Sequence, residues 1–161
     1  MLLRPWAPPA PPGPGSTRDI LHPISRRPVG IARWQQPESS WLGWFSRPSF
    51  SVHETDDEPL VFTVRRLWGL TPSWEVCDAD GHRVALVRPG WVWDRYGDCL
   101  AWLDRAAADA LRFCGRDGRE LARLSREGEG LRLEFVPELH GEPFLKMALL
   151  GAALSGMVEQ T

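Results

Sequence analysis

The sequence predicts a mainly β protein: one antiparallel domain, sandwich or barrel, with an apolar helix buried in it at the C-terminal end. Apolar and polar residues alternate with period two through most of the chain from Pro48 to Phe135. Short clusters of Gly, Asp and Pro interrupt that alternation every 8–12 residues, the spacing of hairpins in sandwiches and barrels. The last apolar run, Phe144 to Val158, breaks that rhythm: it is apolar nearly all round, with small residues at Gly151, Ala152, Ser155 and Gly156.

Each strand follows from its own residues. Phe50–Glu54 alternates and meets the turn-forming Thr55–Pro59. Leu60–Arg66 is the strongest strand, with Leu60, Phe62 and Val64 on one face. Trp74–Cys77 and Arg83–Val87 flank Asp78-Ala79-Asp80-Gly81, a hairpin turn by composition. Trp91–Asp94 and Cys99–Leu103 flank Arg95–Asp98, and Asp109–Cys114 reaches Glu120–Leu124 through Gly115–Gly118. In the last segment Leu131, Leu133 and Phe135 point inward and Arg132 and Glu134 outward. Eight or nine strands result, and no long helical period separates them, which excludes a parallel α/β sheet.

Pro143 suits the first turn of a helix, and the apolar residues after it cover nearly the whole circumference over 143–158. Such a helix belongs in a core. The alternative is a tail anchor, but about fifteen residues fall short of the roughly twenty a bilayer needs, and Lys146 lies near the start.

The N-terminal third reads differently. Ten of the fifteen prolines fall in the first 48 residues, and residues 7–15 (APPAPPGPG) can form neither helix nor central strand. Residues 1–19 therefore read as a disordered Pro-rich arm with PxxP spacings, a candidate recruiter of an SH3- or WW-type partner or simply a linker. Residues 20–47 read as a partly ordered linker or accessory strand, and the domain as 48–161. Trp41–Phe45 is apolar enough to pack on the domain or to sit at a membrane interface.

Charge and cysteine count narrow the function classes. The chain is nearly neutral, at −2, but residues 1–48 carry +4 and residues 49–161 carry −6. A net negative domain argues against nucleic acid as partner. Three cysteines at 77, 99 and 114 make neither a CxxC knuckle nor a disulfide framework, so reduced thiols in the cytoplasm are expected. The first residues lack the apolar run of a signal peptide.

The run Phe50 to Arg66, then Trp74-Glu75-Val76 with Asp78-Ala79-Asp80-Gly81, resembles the opening strands of phospholipid-scramblase-related proteins. These belong to the tubby C-terminal-like superfamily, with the LURP-one-related proteins. Pro143 to Leu150 occupies the place of that family's central helix. The resemblance covers about residues 48–160 and implies a closed antiparallel β-barrel, tubby-like and of about 8–12 strands, around a buried C-terminal helix. It implies a lipid- or membrane-associated barrel, a binder of anionic headgroups, or a scaffold for a protein partner. The chain departs from the family in having no lipidated cysteine cluster and no acidic calcium loop before the helix, so calcium-triggered scrambling does not carry over.

No catalytic or cofactor constellation emerges. The scattered histidines 22, 53, 82 and 140 offer no HxH or HxxxH pair. Asp78-x-Asp80-Gly81 resembles the start of a calcium loop, but Pro89 stands where a Glu is required, so a hairpin turn is the ordinary reading. Asp56-Asp57-Glu58 reads as a solvated loop. There is no G-x-S-x-G, GxGxxG or GxxxxGK[ST], so no enzyme, cofactor or metal is expected.

One basic-aromatic set remains: Arg65, Arg66, Arg88, Trp91 and Trp93. Guanidinium binds phosphate bidentately and indole sits at headgroup depth. The same residues also suit Arg stacked on Trp at an ordinary surface. The expectation is a non-enzymatic binder of anionic phospholipid at a membrane surface or of a protein partner, cytoplasmic and peripheral to the membrane. A tail-anchored protein and a module recruited through its Pro-rich arm stand as alternatives.

Overall fold

Antiparallel pairing runs strictly in chain order in the computed structural model, which describes residues 17–21, 28–35, 49–54, 59–107, 110–127 and 130–155. The strands are β1 (Thr17–Leu21), β2 (Pro28–Gln35), β3 (Ser49–His53), β4 (Leu60–Leu67), β5 (Ser73–Asp78) and β6 (Arg83–Arg88). Then come β7 (Trp91–Asp94), β8 (Cys99–Ala107), β9 (Ala110–Cys114), β10 (Glu120–Glu127) and β11 (Gly130–Phe135). Each pairs with its sequence neighbours to make one 11-stranded sheet. A 3-10 turn at Pro137–Gly141 leads into the helix α1 (Pro143–Leu154).

The hairpin turns follow from local chemistry. At 78–82, 94–98 and 115–119 the fourth residue is a glycine at positive φ, Gly81, Gly97 and Gly118. The amide of each glycine donates to the carbonyl three residues back, which is a tight turn closed by a left-handed residue. Asp78 and Asp94 reinforce their turns: each Oδ1 accepts two backbone N–H groups, from Asp80 and His82 and from Tyr96 and Asp98.

Alternation then sorts the side chains. Ala32, Val52, Phe62, Val64, Val76, Ala85, Val87, Val92, Ala101, Phe113, Ala122 and Leu124 form the buried face with Leu149 and Ala152 of α1. Trp34 stacks on Phe50 at 4.7 Å beside this core. The helix touches β4 to β7 and also β11. In a flat sheet β7 and β11 would be roughly 19 Å apart, while a helix is only about 10–12 Å across. The sheet therefore curls around α1.

The curl does not close. Among the described residues β1 and β11 are the two edges and do not pair, so the closed barrel implied by the family resemblance is corrected to an open, curled sheet. Period-two patterning places side chains on faces but carries nothing about whether distant edges meet; that depends on strand stagger over the whole sheet. Pairing also begins at Thr17, so the segment read as arm and accessory strand contributes β1 and β2. Residues 7–15, Trp41–Phe45, Asp56–Glu58 and the last residues assigned to the helix, 156–158, lie outside the described residues.

Within α1 burial is graded. Phe144 at the first turn is 59% exposed, whereas Ala148, Leu149 and Ala152 are fully buried. No helix among the described residues is long and apolar enough to cross a membrane. The Ser155 amide donates to Gly151 O at 2.9 Å, and the Ser155 hydroxyl donates to Ala152 O at 2.8 Å. These bonds satisfy polar groups that the buried helix end would otherwise leave open.

Candidate anion-binding groove

β6 and β7 are joined by Pro89-Gly90, with Gly90 at positive φ, and pair Arg88 with Trp91 and Leu86 with Trp93. All four lie on the face turned away from the helix, since Val87 and Val92 occupy the other face and are buried. The Trp91 and Trp93 rings lie 6.0 Å apart. The β7–β8 turn then brings Arg95 and Tyr96 to the far end of the same groove, and Arg83 enters from the start of β6. Together with Leu86, Arg88 and Trp93 these residues line a cavity of about 350 Å³.

Its electrostatics are one-sided. Arg83 donates to Arg95 O at 3.2 Å, and the Arg95 guanidinium lies 4.9 Å from the Tyr96 ring centroid. Among the described residues neither these arginines nor Arg88 pairs with a carboxylate, whereas Arg65, Arg112, Arg119, Arg123 and Arg132 all do. Asp94 is the acid in the lining, and its Oδ1 is engaged by the turn. Three exposed guanidiniums around a Leu–Trp floor have the chemistry to hold an anion with an apolar surface beside it. The Trp93 Nε1 is buried and finds no acceptor among the described residues.

A second cavity, about 270 Å³, adjoins the first across Arg83, Asp94, Arg95 and Tyr96. Val84, Leu100, Phe144 and Leu145 give it an apolar side where α1 begins.

The five arginines and tryptophans singled out in the sequence are thus divided. Arg88, Trp91 and Trp93 come together at the groove. Arg65 does not join them: its Nε donates to Glu75 Oε2 at 2.6 Å, and that partner carboxylate is buried. The hydrogen bond and charge of Glu75 raise the Arg65 pKa. Arg66, the next residue along the strand, falls on the opposite face, opposite Trp74. Arg83, Arg95 and Tyr96 escaped the sequence reading because they belong to turns and strand starts, and only the register of β6 on β7 brings them to Arg88. No family model, curated protein or solved structure matches the chain.

Asp78, Asp80 and His82 put ligand atoms within 4.8 Å of one another. The Asp78 Oδ1 in this exposed set already serves the β5–β6 turn, and His82 Nδ1 stands 3.7 Å from Asp78 Oδ2. The geometry is that of a capped turn. The thiols of Cys77 and Cys114 are buried and free; burial pushes both pKa values up, which keeps them as unreactive thiols.

Proposed function

We propose that the chain is a non-enzymatic binder of anionic phospholipid headgroups, a scramblase-related, tubby-like domain acting at a membrane surface. The observation that carries this reading is the convergence of Arg83, Arg88 and Arg95, none paired with a carboxylate among the described residues, on one groove with Trp93 as floor. A phosphate is the anion this set suits best, because guanidinium forks match phosphate oxygens and the indole offers an apolar neighbour to the glycerol backbone. An antiparallel sheet curled around an apolar C-terminal helix is the part of the architecture that agrees with the family likeness, and the open edge is the part that departs from it. The tail-anchored alternative requires α1 to leave a core in which Leu149 is fully buried.

Vesicle co-sedimentation tests the reading. Binding should be strong to vesicles containing phosphatidylserine and weak to phosphatidylcholine alone. The triple change Arg83→Ala, Arg88→Ala and Arg95→Ala should abolish the difference. Equal binding to both vesicles by the unaltered protein would refute headgroup recognition.

A further inference from the structure

Antiparallel strands in chain order place the β4–β5 and β6–β7 turns at the same end of the sheet, two strands or about 10 Å apart. That end has an unusual surface. In the β4–β5 turn Leu70 is fully exposed and Trp68 is 55% exposed; beside it, at the β6–β7 turn, Trp91 is 46% exposed. Single exposed apolar residues are ordinary on any surface. Three large ones on two neighbouring turns form a cluster, and clusters mark contact sites.

The charges around them select the contact. Arg66 and Arg88 flank the two turns, both exposed, and neither pairs with a carboxylate among the described residues. No acidic residue occurs in 65–74 or in 86–93. The opposite end of the same strands is the reverse, with Asp78 and Asp80 in one turn and Asp94 and Asp98 in the next. Across β4 to β8 the turn carboxylates are thus confined to one end, where Arg83 and Arg95 stand among them, and the other end carries apolar and cationic side chains without an acid.

We propose that this end docks on an anionic bilayer, with Leu70 entering the acyl region, Trp68 and Trp91 at the interface, and Arg66 and Arg88 at the phosphates. The arrangement follows the depth preferences of the side chains, because indole favours the headgroup layer and guanidinium the lipid phosphate. It rests on the membrane-surface reading above, and adds which end of the molecule meets the membrane and a penetrating side chain that headgroup binding alone does not need. A soluble headgroup has no use for Leu70. A bilayer does.

The test separates the two ideas. The probes are phosphatidylcholine–phosphatidylserine vesicles and, as a soluble phosphate, inositol hexakisphosphate. The full chain is compared as unaltered protein, Leu70→Glu, Leu70→Trp, and Arg83→Ala with Arg95→Ala. Leu70→Glu should lower vesicle affinity at least about tenfold, leave inositol hexakisphosphate affinity unchanged, and Leu70→Trp should retain vesicle binding. Leu70 is exposed, so an unchanged melting temperature verifies folding in both variants. Vesicle binding by Leu70→Glu equal to that of the unaltered protein overturns the proposal. So does a dimer that Leu70→Glu converts to monomer without loss of vesicle binding, since the end would then join two copies. Loss of inositol hexakisphosphate binding belongs to the groove variant; its absence from the unaltered protein overturns the groove reading and leaves the docking end to be judged on vesicles alone.

Discussion

Gly151 of α1 lies so close to Val76 of β5 that a Cβ on the glycine would stand 2.8 Å from Val76 Cγ2 and 3.3 Å from Val64 Cγ2. The glycine is what lets the helix settle onto the central strands. Replacing it with alanine gains about 1 kcal/mol of helix propensity, but overpacking a closed core costs about 1–3 kcal/mol. Gly151→Ala should therefore be neutral to destabilising in urea unfolding, and Gly151→Val clearly destabilising. Adding Val76→Ala should recover part of the loss, so that the double change is better than the sum of the single ones.

The helix also places Ala148, Leu149, Ala152 and Ala153 in the core. Leu149→Ala should cost about 2–5 kcal/mol, the range for a buried leucine that leaves a cavity. Ending the chain after Glu142 should remove the cooperative transition altogether. A truncated protein that unfolds with the original midpoint would mean that the sheet does not depend on its helix.

Arg65 and Arg88 should behave differently, although both are basic residues near strand ends. Arg65→Ala removes the partner of buried Glu75 and should cost about 1–2 kcal/mol, between an exposed ion pair and a hydrogen bond to a charged group. Its vesicle affinity should stay close to that of the unaltered protein. Arg88→Ala should show the opposite, with stability within about 0.5 kcal/mol and weaker vesicle binding. Denaturant titration and co-sedimentation on the same preparations distinguish them.

The thiols give a pH signature. Burial raises the pKa of Cys77 and Cys114 above the ordinary thiol value, with Glu75 adding to the effect at Cys77. For a folded-state pKa that is raised, the stabilisation is complete below the unfolded thiol pKa and is lost as pH rises through the folded value. Stability should thus fall on the alkaline side, and Cys77→Ala with Cys114→Ala should flatten that fall relative to neutral pH. At neutral pH both thiols should resist alkylation until denaturant is added, as read by mass spectrometry of labelled peptides.

The turn glycines are testable individually. Gly81, Gly97 and Gly118 have open space where a Cβ would go, so the obstacle is their positive φ and not crowding. Alanine at any of them should cost about 1–2 kcal/mol, and asparagine less, because its side chain tolerates the left-handed region.

Much of the fold was legible because its causes are local. Alternation at Leu60–Arg66 and Leu131–Phe135 is written in adjacent residues, as are the Asp and Gly of the turns at 78–82 and 94–98. The burial of α1 followed from its composition and length. The strands β1 and β2 were harder, because Thr17–Leu21 does not alternate and a proline opens β2, and pairing with β3 supplies the order. The groove was legible by half. Arg88, Trp91 and Trp93 sit near one another in sequence, so composition alone pointed to them. That Arg65 belongs to Glu75, that Arg66 faces the other side, and that Arg83, Arg95 and Tyr96 complete the groove depend on which strands pair and in what register. The sequence by itself determined strands, turns and a core helix, since backbone sterics and period-two burial act over a few residues. Only the tertiary structure decided that the sheet curls without closing and which arginines keep their charge free, because both depend on contacts between residues far apart in the chain.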